Sequence, residues 1–505
     1  MEFKPNKYQE AIYDFILNGE GNAVINAVAG SGKTSTIVNA LNIIDSSKSV
    51  LFLAFNKSIV EELKKKVGEK PNVQIKTLHS LGSSVCYNTF HSTINADKYF
   101  KYISQSIKEG VFKPTRRLTK EEMSSWSKNI KTLCELGRVE LVNDTQSLMD
   151  VANRHDIVVE DNEIELALKA IKWGCINVAE IDFTDMIYFP NVKKMEIPVF
   201  DFVFVDECQD LNAAQREFFL KCVDPDDGRF VCVGDRNQAI YAFNGADAES
   251  FSKLTKIPNT IMLPLSVCYR CSKKIVESAQ RLVPQIEYKS DAEDGTIDLE
   301  AKVEDVKDGD MVVCRVSAPL VKLCMRFIKE GTKAYIKGGD IGKNLINIIK
   351  NTGKEKVSDM IEELHVESIK IIEKICKLNG YDVDDAKQTS AYQTFLDKIE
   401  AIEAISEGFE KTEDIIKKIS EIFRDDNGKG ICLSTVHKAK GLENDRVFIL
   451  DRDKFYPKWA MKNKVQAGQE KNIEYVAITR PKKYLGYIYY SENENKDSSN
   501  GTVQK

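Results

Sequence analysis

The sequence has few histidines and no long apolar run. It contains five histidines and three tryptophans in 505 residues, so a histidine-rich metal centre is not expected. No apolar stretch reaches the roughly 18 residues that a membrane-spanning helix needs, and residues 1–5 lack the apolar core of a secretory signal. We therefore expect a protein that does not enter a membrane and that works in a reducing cytoplasm.

An excess of basic residues is also missing. The chain carries 72 Lys and Arg against 77 Asp and Glu, which gives a formal net charge of −5. Proteins that coat nucleic acid are usually basic overall. Any contact with nucleic acid therefore has to be a local groove, because the molecule has no basic field over its whole surface.

The twelve cysteines do not have the spacing of a metal site. Cys268 and Cys271 form an isolated C-x-x-C that no second pair or nearby His completes, so zinc binding is not expected there. Most of the others, such as Cys232 and Cys314, lie within apolar runs, where cysteine is typical as a small core residue.

Alternating apolar runs and helical patterns predict an α/β protein of several domains. Two blocks rich in apolar strands, the second starting with a strand near residues 261–265, are each interrupted by amphipathic, charged helical patterns. We predict two lobes with parallel sheets, each carrying a mainly helical insertion. The predicted segments are 1–83 and 179–255 for the first lobe, 256–345 and 427–490 for the second, 84–178 and 346–426 for the insertions, and 491–505 for a disordered polar tail.

Residues 27–34, Ala-Val-Ala-Gly-Ser-Gly-Lys-Thr, have the pattern of a phosphate-binding loop between a strand and a helix. Gly30 and Gly32 let the backbone bend so that its N–H groups point at phosphate oxygens, and the new helix adds its positive end. Lys33 would reach the β- and γ-phosphates, and Thr34 would hold Mg²⁺. Ala27 stands where the strict pattern has glycine.

Charged residues that suit phosphoryl transfer follow further along the chain. Asp206 and Glu207 come directly after the apolar strand 202–205, at the end of a strand where open α/β sheets bind ligands. Asp206 would hold Mg²⁺, and Glu207 would orient and deprotonate the attacking water. Arg270 and Arg480 would stabilise charge on the γ-phosphate. Supplied from the second lobe, they would tie hydrolysis to lobe closure.

Together these segments resemble superfamily 1 DNA helicases of the UvrD/Rep/PcrA group. The matching segments, in family order over residues 6–485, are 9, 27–34, 54–58, 77–80, 182–185, 206–210, 233–246, 269–270, 435–443 and 476–483. The variant at 55–58 and the short second insertion resemble the F-box DNA helicase branch. The resemblance implies two RecA-like P-loop NTPase lobes that use ATP and Mg²⁺.

The resemblance also implies roles for single residues. Gln9 should read the adenine edge, Tyr269 should stack on its face and Glu443 should contact the ribose. Gln238 should sense the γ-phosphate and relay its loss toward the DNA groove. The implied catalytic residues are Lys33, Asp206, Glu207, Gln238, Arg270 and Arg480. The implied nucleotide-binding residues are Gln9, Ala29, Gly30, Ser31, Gly32, Lys33, Thr34, Ser35, Tyr269, Arg270, Gly441, Glu443 and Arg480.

For DNA, the resemblance implies a groove in which bases stack on aromatic side chains. Tyr241 and Phe243 match that platform, and core packing is the alternative for both. Phe55 lies one position away from the usual stacking residue. The other implied DNA contacts, which would be to the backbone, are Asn56, Lys57, Thr77, His79, Thr435 and His437.

Together these expectations predict an ATP-dependent 3′-5′ DNA helicase and single-stranded DNA translocase that acts in DNA repair, recombination or replication. Its substrates would be single-stranded DNA and tailed duplexes, and recombinase or replication proteins are candidate partners. We expect a cytoplasmic monomer, at the nucleoid or in a host cell if a phage encodes it. One alternative is a 5′-3′ helicase, which the non-proline continuation at Ala239 and Ile240 disfavours. The other is an ATP-driven remover of DNA-bound proteins that unwinds weakly.

Overall fold

The computed structural model describes residues 4–111, 120–155, 157, 159, 161–241, 247, 249–425, 428–461 and 464–490. The chain divides into two compact units, Met1–Val267 and Cys268–Lys505. None of the helices within the described residues is both long and apolar enough to cross a bilayer. The predicted disordered tail, 491–505, lies outside the described residues.

The first unit is built on a parallel sheet. Its strands are β1 (Asn22–Ala27), β2 (Val50–Ala54), β3 (Val73–Thr77), β4 (Thr93–Ile94), β5 (Glu180–Ile181), β6 (Phe202–Val205), β7 (Arg229–Gly234) and β8 (Thr260–Leu265). Its helices are α1 (Lys7–Asn18), α2 (Lys33–Ile43), α3 (Lys57–Val67), α4 (Leu78–Phe90), α5 (Lys98–Lys108), α6 (Lys120–Val139), α7 (Thr145–Arg154), α8 (Asp161–Ile176), α9 (Asp185–Val192), α10 (Ala213–Leu220) and α11 (Ser250–Thr255).

Six strands form the main sheet of this unit in the order β3-β2-β6-β7-β1-β8. All neighbours are parallel, with Val24 opposite Cys232 and Phe52 opposite Phe204. The central strands are apolar on both faces because helices cover both sides of the sheet. Their carboxyl ends therefore meet at one edge, which is where the predicted catalytic residues follow the strands.

The edge strand β8 corrects a predicted boundary. We expected residues 256–345, with their strand near 261–265, to begin the second lobe. The structure pairs β8 with β1 in the first sheet, with Ala23 opposite Ile261, and the first unit runs to Val267. An apolar run predicts a strand, but the choice of a neighbour in a parallel sheet depends on contacts between distant parts of the chain.

The helices α5 to α8 form a block with its own core, which contains Tyr99, Leu133 and Leu148 but no side chain from the six-stranded sheet. A buried ionic cluster lies in this block. Arg138, fully buried, donates to Asp182 and Asp185 at 2.7 and 2.8 Å. Lys98 donates to Asp185 at 2.8 Å. The cluster therefore links α5 and α6 to the start of α9.

The second unit contains another parallel sheet. Its strands are β9 (Val267–Cys268, at the boundary), β10 (Glu287–Tyr288), β11 (Thr296–Asp298), β12 (Met311–Cys314), β13 (Ala334–Lys337), β14 (Phe423–Arg424), β15 (Ile431–Thr435), β16 (Asn444–Leu450) and β17 (Pro481–Ile488). Its helices are α12 (Lys273–Gln280), α13 (Ala318–Lys329), α14 (Gly339–Thr352), α15 (Val357–Asn379), α16 (Val383–Lys387), α17 (Ser390–Ser406), α18 (Thr412–Ile422), α19 (Val436–Ala439), α20 (Lys458–Met461) and α21 (Lys464–Ile478).

Seven strands form this sheet in the order β11-β17-β16-β12-β15-β13-β14, and the pairs are parallel. The second helical segment shares one core with the sheet, since Leu364 and Ile402 pack in the same cluster as Val312 and Leu433. The predicted limits of this segment, 346 and 426, do not follow the elements. Helix α14 spans the first limit, and β14, inside the second, joins the sheet through β13. The α/β class with parallel sheets is confirmed.

Candidate active site

The loop between β1 and α2 has the backbone of an anion-binding turn. Gly30 and Gly32 have φ of 67° and 78°, a left-handed conformation that glycine adopts without strain. Gly32 is the residue before the first turn of α2, and a Cβ there would meet no atom within 4 Å. The Ser31 hydroxyl is buried and has no hydrogen-bond partner. Open space and an unpaired hydroxyl at a helix N-terminus fit a phosphate group.

Charged side chains from the first turn of α2 and from the end of β6 lie beside this loop. Lys33 Nζ lies 2.6 Å from Glu207 Oε1. Asp206 is buried, and its Oδ1 accepts the backbone N–H of Glu207 at 2.9 Å. Glu207 has φ of 52°, a strained conformation of the kind that is often found at functional sites. Thr34 is half-buried in the first turn of α2.

The electrostatics of this group depend on burial and on mutual charge. Burial and the charge of Glu207 raise the pKa of Asp206 to about 7, although Lys33 opposes the shift. Burial alone would lower the pKa of Lys33, but the charges of Glu207 and Asp206 raise it above its usual value. Lys33 is therefore a permanent cation beside Glu207, and Asp206 is a carboxyl group whose ionisation a cation would favour. Oxygen ligands such as Thr34 and Asp206 suit Mg²⁺.

One residue that the sequence did not single out connects this group to the next strand. Gln209 Nε2 donates to Glu207 Oε2 at 2.5 Å, and its Oε1 accepts the backbone N–H of Asp235 at 3.1 Å. Asp235 Oδ2 accepts from Gln238 Nε2 at 2.7 Å. The predicted base Glu207 and the predicted sensor Gln238 are thus linked through Gln209 and Asp235. A Cβ at Gly234 would come within 2.3 Å of Gln209 Oε1, so this link requires glycine at 234.

Gln9 is tied to the same helix. Its Nε2 donates to Thr36 Oγ1 at 3.0 Å, and Thr36 Oγ1 donates to the Gly32 carbonyl at 3.0 Å. The Oε1 of Gln9 accepts the backbone N–H of Asn6 at 3.0 Å. These bonds fix the orientation of a buried amide next to the loop. Its contact with adenine stays a prediction.

The second unit holds the two predicted arginines and Glu443. Arg270 Nε lies 2.5 Å from Glu443 Oε2, and Lys482 Nζ lies 2.8 Å from Glu443 Oε1. Arg480 is buried, and its guanidinium donates to the carbonyls of Val476 and Leu442 at 2.8 and 3.0 Å. Both arginines therefore lie at the same end of this unit.

The other predicted nucleotide contacts of this unit, Tyr269 and Gly441, lie close in sequence to Arg270 and Glu443. Arg270 also donates to the carbonyl of Thr479, the residue before Arg480, at 3.4 Å. Tyr269 is 44% exposed, and Gly441 has φ of 87°. Their contacts with nucleotide remain predictions.

Five of the predicted DNA contacts of the first unit lie at the carboxyl ends of β2 and β3. These strands are neighbours, with Ala54 opposite Thr77. Phe55 is 52% exposed. Asn56 caps α3 by accepting the N–H of Ile59, and Thr77 caps α4 by accepting the N–H of Ser80. The remaining positions are Lys57 and His79, both exposed, and Tyr241, which is half-buried. Phe243 lies outside the described residues.

The second unit repeats this local pattern. Thr435 ends β15 and caps α19 by accepting the N–H of Lys438, and His437 follows two residues later, as His79 follows Thr77. Burial, with the positive charge of Arg315 as the next cause, lowers the pKa of His437 to about 3. His437 is therefore a neutral hydrogen-bonding group at physiological pH.

Comparisons with known proteins agree with this geometry. A family model described as the UvrD/REP helicase N-terminal domain matches residues 6–258. The chain is 24% identical to the ATP-dependent DNA helicase Rep of Escherichia coli (strain K12), over 55% of this chain and 43% of that protein. It is 25% identical to F-box DNA helicase 1 of Gallus gallus, over 91% of this chain and 46% of that protein. The chain spans about half the length of the curated relatives it matches.

Proposed function

The chain belongs to the UvrD/REP helicase family, and from that premise we propose that it is an ATP-dependent DNA helicase that moves 3′ to 5′ along single-stranded DNA. The proposal rests on one observation. Lys33, Asp206 and Glu207 lie together beside the left-handed glycine loop. A cation, a buried carboxyl and a second carboxylate at one sheet edge are the parts that nucleotide hydrolysis requires.

Each part has a role in this proposal. Lys33 and the loop N–H groups bind the phosphates, and Glu207 takes the proton of the attacking water. Thr34 and Asp206 would hold Mg²⁺, which when bound neutralises charge that develops on the phosphates. Arg270 and Arg480 would stabilise the γ-phosphate during transfer. The bonded series Glu207, Gln209, Asp235 and Gln238 would carry the state of the nucleotide toward the DNA contacts.

The proposed DNA substrate is single-stranded DNA or a duplex with a single-stranded tail, handled in repair, recombination or replication. Support comes from the exposed ring of Phe55 and from the exposed Lys57 and His79 at the same sheet edge. An aromatic ring gives a base a stacking surface, and a lysine gives a phosphate a counter-charge. The net charge of −5 agrees with a contact confined to such a groove.

The test measures ATP hydrolysis with Mg²⁺, with and without single-stranded DNA. We expect DNA to stimulate turnover, and Lys33→Ala and Glu207→Gln each to lower it at least about 100-fold. Lys64→Ala and Glu61→Gln change exposed side chains of α3 and should retain wild-type turnover. Hydrolysis that DNA does not stimulate would contradict the proposal.

Direction is tested with duplexes that carry either a 3′ or a 5′ tail. Unwinding of the 3′-tailed duplex is the expected result, and preference for the 5′ tail would overturn the polarity. A parallel assay for displacement of a DNA-bound protein separates unwinding from protein removal. Displacement without strand separation would favour the protein remover.

A further inference from the structure

Two cysteines flank the segment that carries Tyr269 and Arg270. Cys268 and Cys271 are 0% and 4% exposed, and both are free thiols. The backbone N–H of Cys271 donates to Cys268 Sγ at 3.4 Å. The sulfur atom of Cys268 therefore lies against the backbone of Cys271, three residues further along the chain.

The two thiols are not chemically equivalent. A hydrogen bond from the Cys271 thiol, backbone N–H groups of Cys271 and Arg270, and the Arg270 charge lower the pKa of Cys268 although burial opposes them. Burial raises the pKa of other core cysteines, such as Cys232 and Cys314. The thiolate is the form that reacts with oxidants. Across the described part of the chain, no group of three His, Cys, Asp or Glu is placed to hold a metal ion, which favours oxidation over metal binding.

The pair is connected to both predicted arginines. Cys271 Sγ lies 3.6 Å from the carbonyl oxygen of Thr479, and Arg270 donates to the same oxygen at 3.4 Å. Thr479 directly precedes Arg480. A disulfide would remove the S–H of Cys271 and close a ring around Tyr269 and Arg270. It would therefore change the position of Arg270 and the hydrogen bonding beside Arg480 at once.

We propose that Cys268 and Cys271 form an oxidation site whose disulfide slows ATP turnover; its effect on turnover rests on the proposed function. With hydrogen peroxide, the Cys268 thiolate attacks one oxygen, the O–O bond breaks, and hydroxide leaves and takes up a proton to give water. The Cys271 thiol then attacks the sulfur of the resulting sulfenic acid, its proton passes to the leaving hydroxyl group, the S–S bond forms and a second water leaves. Two thiols are oxidised and one peroxide is reduced. Reaction requires local opening of residues 268–271, where Tyr269 already reaches solvent.

The chemical step is tested by peptide mapping of the full chain. The protein is treated with hydrogen peroxide, its remaining thiols are alkylated, and it is unfolded and digested with trypsin. Cleavage after Arg270 places Cys268 in peptide 257–270 and Cys271 in peptide 271–273. The disulfide would keep these peptides joined, lighter by two hydrogens, until dithiothreitol separates them. Separate alkylated peptides from an oxidised but folded sample would overturn the proposal.

The functional step compares DNA-stimulated ATP turnover before and after oxidation in each variant. In the wild type, oxidation should lower ATP turnover about 10-fold because Arg270 is misplaced, and dithiothreitol should restore the turnover. Cys268→Ser and Cys271→Ser should show no such change, whereas Cys376→Ser, a half-buried thiol of α15, should respond as wild type does. A disulfide without loss of turnover would overturn the regulatory role. Absence of ATP turnover in the reduced protein would instead overturn the proposed function, and peptide mapping would still decide on the oxidation site.

Discussion

At the scale of single residues, the side chain that most needs a test is Gln209, which bonds to Glu207 and to the backbone of Asp235. Gln209→Ala removes the donor that orients the carboxylate of Glu207. We expect kcat to fall roughly 10- to 100-fold with little change in KM for ATP, because orientation matters most in the transition state. Steady-state ATPase kinetics measure this, with Gln146→Ala on the exposed face of α7 as control. A change in KM alone would assign Gln209 to ground-state binding.

Asp206 predicts an effect of pH on stability. Its pKa of about 7 lies above its ordinary value of 3.8, so the folded protein retains a proton that the unfolded chain loses. The contribution of this retained proton to the stability of the folded protein is complete below about pH 4 and is lost as the pH rises through 7. Asp206→Asn should therefore melt about 2–4 °C above wild type at pH 8 without metal, and close to wild type at pH 4.

Thermal melts across this pH range in a chelating buffer measure the effect. Asp226→Asn changes an exposed carboxylate and should follow wild type at every pH. A wild-type protein that gains stability relative to Asp206→Asn as the pH rises would contradict the assignment of a costly buried charge.

Most of the candidate site could be predicted from the sequence because its residues directly follow apolar strands. Asp206 and Glu207 are of this kind, Lys33 ends the glycine loop, and the structure brings the three together. Gln209 could not be chosen in the same way. Its sequence neighbours mark it as part of the segment, but the amide acts through two hydrogen bonds whose partners become neighbours only after folding. The glycine at 234 leaves room for the Gln209 amide and is a second sign, but the sequence does not say which side chain fills that space.

At the scale of elements, the buried ionic cluster of α5, α6 and α9 predicts a large loss of stability on mutation. Arg138→Leu would leave Asp182 and Asp185 buried without their guanidinium partner. We expect a loss of about 3–5 kcal/mol in the free energy of unfolding. Arg154→Leu breaks an exposed pair with Glu140 and should cost no more than about 1 kcal/mol. Urea denaturation measures both, and equal losses would contradict the role of burial.

The sequence predicts the positions of the helices and strands better than it predicts which elements lie next to each other. Apolar runs located β6, β13 and β15, but the run at 261–265 was assigned to the wrong sheet. Periodicity predicted helices between 346 and 426, yet it carried no sign that Leu364 and Ile402 would share a core with the strands. Local patterns report the burial of a residue, whereas partners in a parallel sheet are set by contacts far apart in the chain.

At the scale of the whole molecule, two compact units with separate sheets predict unfolding in more than one step. Leu53→Ala and Ile402→Ala remove buried side chains from different units and should each cost about 2–5 kcal/mol. Each should lower only one calorimetric transition, while Leu17→Ala, at an exposed position, should lower neither. A single transition that both core variants shift equally would show that the units unfold together.

The two helical segments differ in how far they can be exchanged. The core of the block α5 to α8 contains no side chain of the six-stranded sheet, although Leu141, between α6 and α7, packs against the core of that sheet. A foreign module grafted in its place would have to match the charges near Arg138 and replace this contact. The segment that holds Leu364 and Ile402 completes the interior of the second sheet. Replacing this second segment would require a new set of core side chains under the second sheet. The first block is therefore the better position for a foreign module.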